Sequence, residues 1–134
     1  MKVFICGRCS QLLHFENAIC LRCGTGLGFL ADRLRLSPVT PRDHGLLVAD
    51  LDDTGFWQAC GNATTIGCNW LVPAGLGRSF CDACALNRTI PDLDVAGNLA
   101  RWTEIEAAKR RLIYALKRLR LPIRRQTHET DDGL

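Results

Sequence analysis

The sequence predicts a small, metal-stabilised α+β fold, with two cysteine-bearing β units followed by one long C-terminal α-helix. Three observations predict it. Eight cysteines fall in two groups of four within 134 residues. Short apolar runs broken by Gly, Pro and Asn surround them, and one stretch near the C-terminus repeats apolar residues at three- and four-residue spacing. A chain of this length makes one ordinary domain or two very small ones. Its hydrophobic content of 47% and charged content of 23% are ordinary for a globular protein.

Eight cysteines admit two chemistries, four disulfides or metal coordination. The N-terminus, MKVFICGRCS, has one Lys and a short apolar run that ends at Gly7, too short for a signal-peptide core. No later run approaches the roughly 18 apolar residues of a membrane span. The chain therefore reads as cytoplasmic, with no membrane contact, where thiols stay reduced and bind metal. Asn62-Ala63-Thr64 and Asn87-Arg88-Thr89 fit the glycosylation pattern, but without an export signal they read as chance.

The first unit, residues 1–30, holds Cys6-Gly-Arg-Cys9, ten residues, then Cys20-Leu-Arg-Cys23 and Gly24. A Cys-x-x-Cys turn presents two sulfurs at the separation that a tetrahedral ion needs, and two such turns complete the four ligands. Between them, Leu12, Leu13, Phe15 and Ile19 suggest a hairpin turning at Glu16-Asn17. Gly7 and Gly24 suit the turns, where the backbone doubles back and directs its N–H groups at sulfur. Two knuckles joined by a hairpin describe a minimal zinc ribbon, with iron the minor alternative. Thirty residues cannot bury a core, so the metal must supply folding free energy on the order of 10 kcal/mol.

Residues 31–56 read as a connector with one short strand. Pro38 and Pro41 are expected to bracket a turn, and Leu46–Ala49 is the apolar run. Asp50, Asp52 and Asp53 read as a solvated turn, because the bidentate Glu of a calcium loop is missing. Residues 57–95 form the second four-cysteine unit. Seven residues separate Cys60 from Cys68, and twelve more precede Cys81-Asp-Ala-Cys84. Asn69–Ala74 reads as a strand, 73–77 as a turn and 78–80 as its return. A 36-residue linker separates Cys23 from Cys60, so pairing the cysteines in sequence costs less loop entropy than a cross-braced arrangement.

Residues 96–121 read as an amphipathic basic helix that begins near Asn98 as N-cap and stops at Pro122. Thr103 and Glu106 offer a capping box should it start later. Ile105, Ala108, Leu112, Ala115 and Leu119, widened by Trp102, Ile113 and Leu116, form the expected core-facing stripe. Lys109, Arg110, Lys117 and Arg118 form the expected solvent face.

The formal charge of +3 is unevenly distributed. Residues 1–100 hold eight Lys/Arg against nine Asp/Glu, residues 101–125 hold nine against two, and the remainder none against three. Two Zn(Cys)4 centres would add eight thiolate charges and two dications, which takes the loaded chain to about −1. That argues against a generally nucleic-acid-seeking protein. A basic helix alone can still bind phosphates, so nucleic acid stands as the alternative partner.

No catalytic constellation is present. His14, His44 and His128 lie at no metal-pair spacing, and His128-Glu129 lacks the second His of His-Glu-x-x-His. Four sulfurs on each ion leave no open coordination position.

Four segments, CGRCSQLLHFENAICLRCGTGLGF, CNWLVPA, CDACALNRTIPDL and NLARWTEIEAAKRRLIYALKRLRLP, together resemble the N-terminal region of a bacterial family. That family comprises proposed zinc-binding metallopeptidases with an N-terminal zinc ribbon. The resemblance covers nearly the whole chain and implies that Cys6, Cys9, Cys20 and Cys23 are the ribbon's zinc ligands. Cys60, Cys68, Cys81 and Cys84 match the family's second cysteine group, and their metal role follows from spacing. Members of the family continue into a part carrying His-Glu-x-x-His. This sequence stops before it, so peptidase activity transfers to no residue here, and residues 122–134 read as the start of that further part. The expectation is a non-catalytic, structural module with two zinc ions, serving an unknown protein partner or a C-terminal catalytic part.

Overall fold

In a computed structural model of the chain, residues 2–124 are described. They contain two four-cysteine clusters, β-sheets and one long C-terminal helix, the α+β class expected from the sequence. The chain divides into two compact units, Met1–Cys81 and Asp82–Leu134. The segment 125–134, with His128, lies outside the described residues.

The first unit opens with β1 (Val3–Ile5) and β2 (Leu12–His14), paired antiparallel through Phe4 and Leu13. The sequence expectation of a hairpin turning at Glu16-Asn17 is corrected here. The first cysteine knuckle is itself the turn between β1 and β2. The amide of Asn17 bonds the His14 carbonyl at 3.1 Å, and Ile19 bridges to Gly26 rather than back to β2. Each period-2 strand buries one residue, Phe4 or Leu13, and exposes its neighbours, which leaves too little apolar surface for a sheet without metal.

Five antiparallel strands follow in sequence order: β3 (Gly26–Leu30), β4 (Arg35–Pro41), β5 (Leu47–Ala49), β6 (Asp52–Ala59) and β7 (Leu71–Pro73). The stretch read as a connector with one strand thus contributes β4, β5 and the start of β6. Pro38 and Pro41 lie inside β4 rather than around a turn. A strand proline is tolerated where no ladder N–H is required. Within β4, β5 pairs with Val39–Pro41 alone, so Pro38 offers that side just its carbonyl, which accepts from the Asp50 amide at 2.9 Å. The buried Ser37 hydroxyl accepts the Leu51 amide at 3.0 Å and donates to the Pro38 carbonyl, satisfying the bend locally.

The meander curls until its ends meet. Phe29 bridges Trp70 in parallel, and the Phe29 amide donates to the Asn69 carbonyl at 2.7 Å. Gly28 permits this approach, because a Cβ there would lie 2.5 Å from Leu71. The enclosed core is Leu30, Val39, Ala49, Trp57 and Leu71, with Leu47 and Leu51 packed against it. An aromatic cluster joins β1 and β2 to this sheet. Phe15 and Phe29 lie edge to face at 5.1 Å between centroids, Phe29 and Trp70 at 4.7 Å, and Phe4 meets both phenylalanines.

The sequence around Cys60 and Cys68 folds into a short helix, α1 (Ala63–Ile66), closed by Gly67 in the left-handed region. After β7 the expected return strand is absent. Residues 78–80 run as irregular chain into the Cys81 knuckle.

In the second unit a 3-10 turn, Cys84–Leu86, leads through a loop to α2 (Asn98–Arg118). Two expectations at its start are corrected. Gly97, not Asn98, is the N-cap, and Asn98 donates its side-chain amide to the Asp92 carbonyl. The Thr103 hydroxyl donates to the Leu99 carbonyl, so no capping box forms. The helix ends before Pro122. Arg120, at φ 57, turns the chain left-handed while the Leu121 amide reaches back to the Leu116 carbonyl.

The buried face of α2 matches the expected stripe at Trp102 and Ile113 but departs from it elsewhere. Trp102, Glu106, Arg110 and Ile113 are buried, whereas Ile105, Leu112 and Leu119 are 64%, 48% and 68% exposed. Polar groups of the preceding segment select this phase. Asp82 pairs with Lys117 at 2.7 Å, and Asn87 accepts from Lys109. Counting apolar spacing missed a face whose partners are polar.

Truncating Phe29 to Ala removes a fully buried ring shared by the aromatic cluster and should cost about 3–5 kcal/mol in denaturant unfolding. Leu112→Ser on the exposed face of α2 should change stability by no more than about 0.5 kcal/mol. The reverse order would refute the burial assignment.

Candidate metal centres

The two knuckles of the first unit are the same structure built twice, fourteen residues apart. Ser10 donates its amide to the Cys6 carbonyl at 3.0 Å, and Gly24 donates to Cys20 at 2.8 Å. The Cys6 amide bonds the Gln11 carbonyl and the Cys20 amide bonds Thr25, both at 2.9 Å. The residue after each second cysteine is left-handed, Ser10 at φ 60 and Gly24 at φ 70. The reversal expected of Gly7 therefore belongs to Ser10.

These paired turns bring Cys6, Cys9, Cys20 and Cys23 together, with all four sulfurs within 4.8 Å of one another. Cys6 and Cys23 are 3.8 Å apart, and Cys9 and Cys20 3.5 Å. A tetrahedral ion at about 2.3 Å from sulfur requires ligand separations of about 3.8 Å, whereas a disulfide requires about 2.05 Å. The thiols are free and spaced for a metal. The knuckle also conditions its own sulfur. Backbone N–H groups of Cys23 and then Arg22 pull the Cys20 thiol down to about 6 against the opposing effect of burial.

Arg8, between Cys6 and Cys9, fastens this knuckle to the chain that follows. Its guanidinium bonds both Asp50 carboxylate oxygens at 2.7 and 2.8 Å, Thr25 Oγ1 at 2.8 Å and Thr40 Oγ1 at 2.8 Å. The ion pair and its hydrogen bond hold Asp50 below the usual carboxylate range. Asp52 is likewise lowered, first by the Thr54 hydroxyl and also by Arg33, whose guanidinium lies 3.0 Å away. These two acids are matched to protein donors rather than to a cation, and the expected solvated turn is corrected: Asp52 is buried at the start of β6.

The second group, Cys60, Cys68, Cys81 and Cys84, is buried throughout, and its sulfurs also fall within 4.8 Å of one another. Cys68 and Cys81 are 3.7 Å apart, and the Cys81 amide lies 3.5 Å from the Cys60 sulfur. The irregular seven-residue gap between Cys60 and Cys68 is absorbed by α1, which reverses the chain on Gly67. Beside Cys84, the buried Glu106 carboxylate lies 3.9 Å from the sulfur and is paired with Lys109 Nζ at 2.7 Å. Sequence reading missed Arg8, Glu106 and Lys109. The available signal was a Glu and an Arg, Glu106 and Arg110, one turn apart and in phase with Trp102 and Ile113.

Closed groups of four thiols on short turns beside β-strands define a zinc-ribbon type of protein, and two structural zinc ions fit the two groups. The chain matches a zinc-ribbon domain family over residues 3–95 and belongs to that family. An uncharacterized protein of Mycobacterium bovis is 41% identical over 135 aligned positions. Uncharacterized proteins from two strains of Mycobacterium tuberculosis match at the same 41%. Each alignment covers 100% of this chain but 36% of the relative, so the chain spans about a third of their length. No solved structure matches.

Lys109→Met would leave the Glu106 carboxylate buried, uncompensated and close to a thiolate. It should cost about 3–5 kcal/mol in unfolding stability. The double variant Lys109→Met, Glu106→Leu should recover most of that loss, and strictly additive losses would contradict the pairing.

Proposed function

We propose that this chain is a non-catalytic, structural zinc-binding module corresponding to the N-terminal part of a longer, metallopeptidase-like protein. In this reading Cys6, Cys9, Cys20 and Cys23 hold one ion and Cys60, Cys68, Cys81 and Cys84 hold the other. One observation carries it: each group is a closed set of four sulfurs at tetrahedral separations. Such a set leaves no coordination position for water or substrate, so the metal holds shape rather than performing hydrolysis. Its chemistry when bound is charge neutralisation and cross-linking of four chain positions. The protein's residues then do the positioning, through the knuckle amides, the Arg8 clamp and the Glu106–Lys109 pair.

The resemblance to metallopeptidases supports placing this module ahead of a catalytic part, and relatives nearly three times as long are consistent with that placement. The exposed apolar residues Ile105, Leu112 and Leu119 are the surface such a module would offer to a protein partner or to a following domain. Eight cysteines gathered into two metal-ligating groups suit a reducing compartment, and we place the protein in the cytoplasm. Among the described residues no helix is long and apolar enough to cross a membrane.

The alternative, a nucleic-acid-binding ribbon using residues 101–125, has weaker support. Of the four cations expected on its binding face, Lys109 and Lys117 are engaged by Glu106 and Asp82, and Arg110 is buried.

Native mass spectrometry of purified protein should find two zinc ions per chain, with no cleavage of a mixed peptide library. Duplex and single-stranded oligonucleotides should show no steeply salt-dependent binding. Peptide hydrolysis by this chain alone would overturn the structural role. Strong binding abolished by reversing Lys109, Arg110, Lys117 and Arg118 would favour the alternative.

A further inference from the structure

The two thiol groups differ in exposure. All four cysteines of the second group are buried, whereas in the first Cys6 and Cys20 are buried, Cys9 is half-buried and Cys23 is exposed. Zinc-bound thiolates remain nucleophilic, and an oxidant must reach the sulfur to react with it. Cys23 is the exposed residue of the group, and the Sγ of the buried Cys6 lies 3.8 Å from its own, so a second thiolate is in place to resolve the oxidised one.

We propose that Cys23 is a site of peroxide modification, and that its oxidation closes a Cys6–Cys23 disulfide which releases the first zinc while the second stays bound. This rests on the two-zinc reading above. The Cys23 thiolate attacks one peroxide oxygen, the O–O bond breaks and hydroxide departs, leaving Cys23 as a sulfenic acid. The Cys6 thiolate then attacks the Cys23 sulfur, the S–O bond breaks and a second hydroxide departs. Two thiolates lose two electrons to give one disulfide, and hydrogen peroxide gains them to give two hydroxides, which protonate to water. The ion has then lost two of its four ligands, and Cys9 and Cys20 alone do not retain it. A dithiol reductant with added zinc reverses the sequence.

Closure requires the two sulfurs to approach from 3.8 Å to about 2.05 Å, a movement the tip of the second knuckle can supply. Its Leu21 and Arg22 are exposed and Gly24, at φ 70, meets nothing within 4 Å of a virtual Cβ. The second group has no equivalent exposed member.

The test treats the zinc-loaded chain with hydrogen peroxide. A chromophoric chelator follows zinc release, and proteolytic mass spectrometry maps the bridges. One zinc per chain should leave, in step with a Cys6–Cys23 bridge, and the second should remain through that phase. The variant Cys23→His keeps a ligand but no oxidisable sulfur, and should release its first zinc at least about tenfold more slowly. Release of both ions together, a first bridge lacking Cys23, or no release would overturn the proposal. Mapping on the unmodified chain decides the matter even if Cys23→His fails to fold. A zinc count below two before oxidation would instead remove the two-zinc reading, and this proposal with it.

Discussion

The structure depends on four sulfurs being drawn to one point, twice. The strands that carry the first set are three residues long and bury one side chain each, which cannot offset the entropy of ordering them. Coordination changes that balance, because a structural zinc site contributes about 10–16 kcal/mol of binding energy that becomes folding energy. The duplicated knuckle prepares the site cheaply. Each turn uses the same two backbone hydrogen bonds and the same left-handed position, so each Cys-x-x-Cys pair is set by local structure.

Packing then spreads from the metal positions. The aromatic cluster of Phe4, Phe15, Phe29 and Trp70 connects the first ribbon to the curled meander, and Trp70 lies two residues beyond Cys68. Asn69 adds a polar tie, its side-chain amide donating to the Phe15 and Asn17 carbonyls at 2.7 and 3.1 Å. The first thiol group and the strand that follows Cys68 are thereby linked through one core within the first unit. In the second unit the buried Glu106 carboxylate of α2 is matched locally by Lys109, beside the Cys84 sulfur.

What the sequence makes legible is the chemistry of close spacing. The Cys-x-x-Cys pairs, the α+β class and the long helix follow from local rules, and the structure gathers the same eight cysteines into two groups. Longer-range choices were hidden for identifiable reasons. Pro38 looks like a strand breaker, but it escapes the ladder because β5 is only three residues long. The helix stripe misleads because hydrophobic counting assigns Ile105, Leu112 and Leu119 inward. The buried line instead goes with polar partners some 20 to 35 residues away, at Asp82 and Asn87. Ser10 takes the left-handed position that glycine occupies in the second knuckle, so a residue-type rule overlooks it.

The central claim is that both thiol groups are closed, four-sulfur zinc centres that give the chain its fold. Zinc K-edge X-ray absorption on the purified chain tests it most directly, combined with a metal count on the same sample. The account predicts two zinc ions per chain and a single shell of four sulfurs at about 2.3 Å, with no nitrogen or oxygen contribution. A first shell containing nitrogen or oxygen, or one ion per chain at saturation, would contradict it.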